Sequence, residues 1–247
     1  MKALAIGPFL GNIEQEIVTF RPYAKWLSEA IKHNELFVST HYDRAFLYKD
    51  FVSKDNIIPI PKKLSEDKDK QTGFIHKDIT LKDYNELVKL FKNEIIKRGY
   101  KKKEIENLSI KYRKTVIQYP QYNKIYKKIE IDKDLKYHDK YLFIPYGDDK
   151  SLLCDVYNSV CDSVTLLKNN EKIENIFTMI NSCRGVITPL SYWTLIANLQ
   201  NVPVFSWGNN VAMFRSGGIY NFNSKKCKII PEVEKDILID IVTNFIS

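Results

Sequence analysis

The stretch that most constrains this chain is residues 185–208, GVITPLSYWTLIANLQNVPVFSWG. It reads as strand, tight turn, helix, strand. Residues 185–188 are a short apolar, β-branched run. Pro189 is expected to open the helix, because a first-turn residue needs no N–H. Residues 190–200 have helix length, and Asn201 is expected to end the helix in a left-handed conformation. Residues 202–207 form a second apolar strand, closed by Gly208. Two buried strands joined by a helix make a right-handed βαβ unit on a parallel sheet. The helix start then faces the carboxyl end of the first strand, where open α/β sheets bind ligands and free N–H groups suit a phosphate. Thr188, Ser191, Tyr192 and Trp193 gather there. On local pattern alone, a buried βαβ unit with no ligand is the alternative.

The same alternation runs through most of the chain. Residues 2–7 (KALAIG) predict a first strand, followed by a loop with Gly7 and Gly11. Residues 17–31 carry one apolar stripe at helical spacing, with Pro22 at the start of the regular part or at a kink. Residues 35–40 (ELFVST) predict a strand, and residues 56–60 a third strand or edge segment. Residues 62–72 are polar and read as a surface loop. Residues 79–98 predict a long helix with Thr80 and Asp83 near a capping box and Gly99 at its end. Leu81, Tyr84, Leu87, Leu90, Phe91 and Ile95 form its apolar face. From residue 141 the order is β-α-β-α-β-α-β to Gly208, with one more short strand at 227–230 and a closing helix at 232–246. The charged run 132–140 is a candidate linker. The expected fold is α/β, two Rossmann-like domains facing a cleft: 1–135, carrying a basic insertion, and 141–247.

Charge separates the two halves. The net charge is +8 over 247 residues. Residues 141–247 hold 9 Lys+Arg against 10 Asp+Glu, so 29 basic and 20 acidic residues lie in 1–140. Residues 97–128 concentrate the excess, including Lys101, Lys102, Lys103, Arg113 and Lys114, with five interleaved tyrosines (100, 112, 119, 122, 126). Basic groups neutralise phosphates and aromatic faces stack on bases, so a polyanion such as DNA is one partner class. A lysine-rich surface reflecting biased codon usage is the other reading. No apolar run approaches the roughly 18–20 residues that span a bilayer, and the N-terminus is not a signal peptide, so a cytoplasmic location is expected. Cys154, Cys161, Cys183 and Cys227 lack metal-site spacing and read as reduced core thiols. Of four scattered histidines, His41 stands at the end of a strand, in Thr40-His41-Tyr42-Asp43-Arg44. GxSxG, Walker and GxGxxG motifs are absent, which lowers the hydrolase, NTPase and dinucleotide-oxidoreductase readings.

Several second-half residues carry a resemblance. Pro145-Tyr146-Gly147-Asp148-Asp149-Lys150 follows a strand. Leu190-Ser191-Tyr192-Trp193 makes a turn, Leu195-Ile196-Ala197-Asn198 lies in a helix, and Asn201-Val202-Pro203 opens VFSWG. This half resembles the donor-binding domain of GT-B glycosyltransferases, especially the heptosyltransferase-like family. Ser191, Ala197 and Pro203 match that family's pattern. Leu190, Tyr192 and Leu195 stand where it has Asp, Gly and His. In the first half the family's Gly-Asp, whose Asp is the proposed base, becomes Gly11-Asn12.

The resemblance implies a glycosyltransferase, hexosyl- or pentosyl-, moving a sugar from a nucleotide-sugar donor to an anionic acceptor. Gly147, Lys150, Thr188, Ser191, Tyr192 and Trp193 would bind the donor, with no metal and no cofactor beyond the nucleotide-sugar substrate. An amide cannot accept a proton at neutral pH, so the base would be Glu14, then Glu16, then Asp43. Gly11, Asn12, His41, Lys101, Lys102, Lys103, Arg113 and Lys114 would face the acceptor. The sharper acceptor is a modified base in DNA, as in phage DNA-modifying glycosyltransferases; anionic glycans or a lipid-linked sugar are the blander ones. The alternatives are a non-catalytic nucleic-acid-binding protein on a GT-B-like fold and a nucleotide-sugar epimerase-like enzyme.

Overall fold

The computed structural model describes residues 2–72, 75–108, 129, 131, 137–168, 170–214 and 226–247. The chain divides into two compact units, Met1–Lys127 and Lys128–Ser247. Each is an α/β unit on a parallel sheet.

The first sheet has the order β3-β2-β1-β6, with β1 (Ala3–Ile6), β2 (Glu35–Thr40), β3 (Ile57–Pro59) and β6 (Ile105–Asn107) all parallel. The chain steps outward from β1 to β3 and then returns to the other side of β1, so this sheet reverses at β1. Strand β1 is wholly apolar and buried, and β2 is buried after its exposed first residue, Glu35, with apolar Leu36, Phe37 and Val38 at its centre, as strands covered on both faces tend to be. Strand β6 lies inside the basic run and was not legible there. The polar run 62–72 is not a plain loop. It folds as a short helix α3 (Lys62–Glu66), a helical turn, and β4 (Gln71–Thr72) paired antiparallel with β5 (Ile75–His76).

Helix α1 (Ile13–Gln15) passes through a π-helical turn, Glu16–Phe20, into α2 (Arg21–Ala30). The widened turn has a cause. Pro22 donates no hydrogen bond and its ring crowds the carbonyl four residues before it, and Arg21 N–H bonds to Glu16 O instead. Helix α4 (Leu81–Lys97) has the Thr80–Asp83 capping box, with both reciprocal bonds present. Tyr84, Phe91 and Ile95 are buried, whereas Leu81 and Leu90, expected on the apolar face, are exposed.

The second sheet has the order β11-β10-β9-β7-β8, again all parallel. Its strands are β7 (Tyr141–Phe143), β8 (Val164–Leu166), β9 (Gly185–Pro189), β10 (Val204–Trp207) and β11 (Cys227–Ile230). Helices α5 (Lys150–Val160), α6 (Ile173–Ser182), α7 (Tyr192–Leu199) and α8 (Lys235–Ile246) cover it. Strand order reverses between β7 and β9. The predicted elements appear with two local corrections. Pro189 ends β9, and the helix begins after Ser191, which caps it. Asn201 has φ +58°, the left-handed stop expected. Ile129 is buried against this unit: with its amide oriented to satisfy both neighbours, Gln200 pairs with the Ile129 backbone at 3.1 and 3.3 Å. Asn181 donates to Ile131 O at 2.9 Å.

The thiols are corrected as well. Cys154 and Cys161 are exposed, and Cys183 and Cys227 are half-buried. Cys154 lies in α5, whose core side is taken by Leu153, Val156 and Val160, and Cys161 follows the end of that helix. Among the described residues, no helix is long and apolar enough to cross a membrane.

Candidate functional site

In the second unit, the carboxyl ends of β7, β9, β10 and β11 surround a pocket of about 260 Å³. This is the switch point of the sheet, where open α/β folds take ligands. One side is the turn after β7. There Gly147 has φ +107° with open space around it, so glycine is needed for the turn itself. Asp149 caps α5 through Leu152 N–H at 2.9 Å, which puts Lys150 first in the helix with its side chain in solvent. The opposite side is Pro189, Trp207 and Gly208. Leu190 N–H bonds to Trp207 O at 2.7 Å and Gly208 N–H to Ile230 O at 3.3 Å, so the strand ends stay paired to the pocket rim. Asn209 donates to Glu232 at 3.1 Å. Asp148, Asp149 and Glu232 make the lining acidic.

Beside it stands an aromatic group. The Tyr146 ring, well exposed, meets Tyr192 edge-on at 5.7 Å, and Tyr192 lies 4.5 Å from Trp193. The start of α7 is satisfied from within: Ser191 Oγ accepts from Trp193 N–H at 3.3 Å, and Ser191 N–H donates to Thr194 Oγ1 at 3.2 Å. A buried hydroxyl chain continues inward. Ser206 Oγ donates to Thr188 O at 2.7 Å, so its single proton is spent, and Thr194 must be the donor in the 2.6 Å Thr194–Ser206 bond. This chain ties α7 to β9 and β10.

Six residues of this half were expected at a donor. Gly147 lines the pocket, Tyr192 meets its rim through Tyr146, and Lys150 is exposed nearby in sequence. Thr188, Ser191 and Trp193 are buried, and their polar groups hold the βαβ unit together. Asn209 and Glu232 were missed. Both follow strand ends, the one signal that could have drawn attention to them.

In the first unit, the carboxyl ends of β1 and β2 enclose a buried polar network. Glu16 is fully buried. It accepts from Tyr48 Oη at 2.7 Å, from Arg44 Nη1 at 2.9 Å and from the Thr40 hydroxyl. Burial pushes its carboxyl pKa up, and the Arg44 charge and the three hydrogen bonds pull it back down. Arg44 also donates to Gly11 O at 2.9 Å and to Gln71. His41 is fully buried, with Nε2 3.2 Å from the same Gly11 carbonyl. A carbonyl only accepts, so Nε2 carries the proton. Burial, then the Arg44 charge, lower the His41 pKa to about 2, so the ring is neutral.

These contacts correct several expectations. Glu16 is not a free base: one oxygen accepts from Thr40 and Tyr48, and the other from Arg44, which in turn holds Gly11 O. His41 is sealed in rather than presented to an acceptor. Asn12 spends Oδ1 on Gln15 N–H at 3.0 Å, capping α1. Asp43 lies 3.5 Å from Lys68 Nζ and 3.9 Å from Arg44 Nε. Glu14 is half-buried, and burial raises its pKa. Lys101, Lys102 and Lys103 are exposed, but they precede β6 and so stand at the amino end of the sheet. Asn12 and His41 stand at the other end, a strand length of roughly 10–13 Å away. Arg113 and Lys114, with the tyrosines 112, 119, 122 and 126, lie outside the described residues; Tyr100 is core. Among the described residues, no three His, Cys, Asp or Glu side chains group as metal ligands.

No protein-family model matches the sequence, and no curated protein matches it. Solved structures do. E. coli heptosyltransferase WaaC with ADP aligns over 100% of this chain and 99% of its own, at 10% identity and TM-score 0.58. The family 9 glycosyl transferase from Veillonella parvula DSM 2008 aligns over 100% and 92%, at 11% identity and TM-score 0.58. E. coli ADP-heptose LPS heptosyltransferase II aligns over 100% and 98%, at 11% identity and TM-score 0.53. At such identity the likeness establishes the fold: a GT-B-like α/β protein of two Rossmann-like units.

Proposed function

We propose that this chain is a glycosyltransferase taking a sugar from a nucleotide-sugar donor held at the strand ends of the second unit. The observation that carries the reading is the 260 Å³ pocket at the reversal of the β7–β9 strand order, in a fold like that of heptosyltransferases, one of them solved with ADP. Three carboxylates in the lining suit hydroxyl and amino groups better than phosphates. The pocket is therefore assigned to the nucleoside or the sugar, with Asp148 and Glu232 accepting from hydroxyls. The Tyr146 face stacks on the base or sugar ring. The diphosphate is assigned to the Lys150 side of the pocket, because the start of α7 is capped by its own side chains. As the glycosidic C–O bond breaks, charge builds on the departing diphosphate, and the Lys150 ammonium offsets it.

The acceptor oxygen attacks as its proton passes to a carboxylate. Glu14 is assigned this role, because Glu16 is fully engaged and Asn12 is an amide. Half-burial makes Glu14 a stronger base than a solvated glutamate. The net charge of +8 supports an anionic acceptor. A DNA acceptor rests on the same charge alone and has no support in the fold likeness.

The test is thermal unfolding with ADP, UDP, GDP, dTDP and CDP in turn. A rise of several degrees with one of them is expected, and no shift with any overturns the reading. A second reading, a binding protein that turns nothing over, is favoured by Asn12 occupying the position of the expected base. It predicts nucleotide binding with no release of sugar from any donor sharing that nucleotide. A DNA-retardation series over salt decides the acceptor; no retardation at low salt removes DNA.

A further inference from the structure

The first unit carries a larger cavity, of about 420 Å³, that none of the residues above uses. It is a groove between α4 and the β2–β3 side of the sheet. Three of its walls, Pro8, Pro59 and Pro61, have no N–H, and the Ile60 N–H is spent on Thr40 O at 2.8 Å. An apolar molecule can lie against this wall without stranding a backbone donor. The facing wall is Leu87, Leu90 and Phe91 of α4, and Leu90 is 57% exposed. An unbranched helix former would serve an exposed position equally well, so the groove keeps apolar surface in water that a ligand could remove.

Charge at one end says what kind of ligand. Glu94 is neutralised by Lys97 at 2.6 Å. The exposed Arg98 guanidinium bonds to Asn56 Oδ1 at 3.2 Å and to the Asp55 carbonyl, and lies 5.6 Å over the Phe37 ring. None of these partners is a carboxylate, so the groove end keeps one uncompensated positive charge. We infer that the groove binds a small amphiphile, an alkyl or aryl chain of about ten carbons whose single carboxylate pairs with Arg98. This inference does not rest on the transferase reading.

Calorimetry with decanoate, decanol and decyltrimethylammonium tests it on the full chain. Decanoate should bind saturably at one per chain, decanol more weakly, and the cationic amphiphile weakest. Leu90→Gln, an exposed position in a helix, should fold normally and weaken decanoate at least tenfold. Arg98→Gln should weaken decanoate several-fold while leaving decanol unchanged. Non-saturating binding, or equal affinity for anionic and cationic chains, overturns the assignment. So does a chain that sediments as a dimer, binds no amphiphile, and becomes monomeric with Leu90→Gln, since the groove is then an interface between copies.

Discussion

Arg44 Nη1 lies 2.9 Å from Glu16 Oε2 and 2.9 Å from Gly11 O, so the two N–H donors of one buried nitrogen serve a carboxylate and the turn that leads into α1. The pair joins β1's exit loop, the π-helical turn and the segment after β2. Its worth is asymmetric, because a guanidinium cannot shed its charge and a carboxylate can.

Glu16→Gln should therefore destabilise the chain by about 3 kcal/mol, by leaving buried Arg44 charged with Asp43, 3.9 Å from Nε, as its remaining carboxylate. Arg44→Met should cost less, since the buried Glu16 carboxyl, already pushed up by its surroundings, takes up a proton. Urea unfolding at neutral pH, completed as a double-mutant cycle, measures both. Equal costs for the two single variants would contradict the asymmetry.

His41 should make stability depend on acid. Its folded pKa, about 2, lies below the ordinary value near 6.5, so the unfolded chain binds the extra proton between them. Stability from this group is full above the unfolded value and falls as pH drops below it, by about 1.4 kcal/mol per pH unit. At pH 5 the loss should reach about 2 kcal/mol. Unfolding of wild type and His41→Gln at pH 7 and pH 5 reads the difference, and identical pH slopes would sink it.

For the proposed donor site, Tyr146→Ala should raise the nucleotide Kd about tenfold, the value of one stacked ring, with little change in Tm because the ring is exposed. Lys150→Met should weaken nucleotide diphosphates and leave nucleosides unaffected. Nucleoside binding that falls equally would show that Lys150 does not meet the phosphates.

Glu14→Gln should lower turnover at least a hundredfold while sparing donor affinity. Glu16→Gln, by contrast, should lower the folded fraction more than the activity per folded molecule. Unchanged turnover in Glu14→Gln would move the base elsewhere.

Gly7 is held at φ +112°, and a Cβ there would come 2.6 Å from Ser39 O. Gly7→Ala should cost roughly 2–3 kcal/mol, from a strained φ and a backbone clash that no side-chain rotation relieves. Thermal unfolding checks it, and a Tm within a degree of wild type would refute the close approach.

The βαβ repeats were legible because apolar strands and one-striped helices leave strong periods. Residues 35–40 and 227–230 were read with the bounds they have. Strand β6 was hidden, because Ile105-Glu106-Asn107 is half-buried at the end of its sheet and lacks an apolar run. The fold of residues 62–72 was hidden for a different reason. Gln71 and Ser65 are polar yet buried: Gln71 accepts from Arg44 across the fold, and its Nε2 donates to Ser65 O at 3.1 Å. At the site, the strand-end loops could be placed from sequence, but which polar groups were already spent could not. Glu16 and Ser191 read as free chemistry, and only their partners across the fold show them engaged.

The edge of the first sheet carries one more consequence. Among the described strands β3 forms one edge, opposite β6, and Pro59 and Pro61 interrupt the donors that a new strand would need there. That side is closed to strand-by-strand growth, so misassembly of newly made chains through this sheet must begin elsewhere.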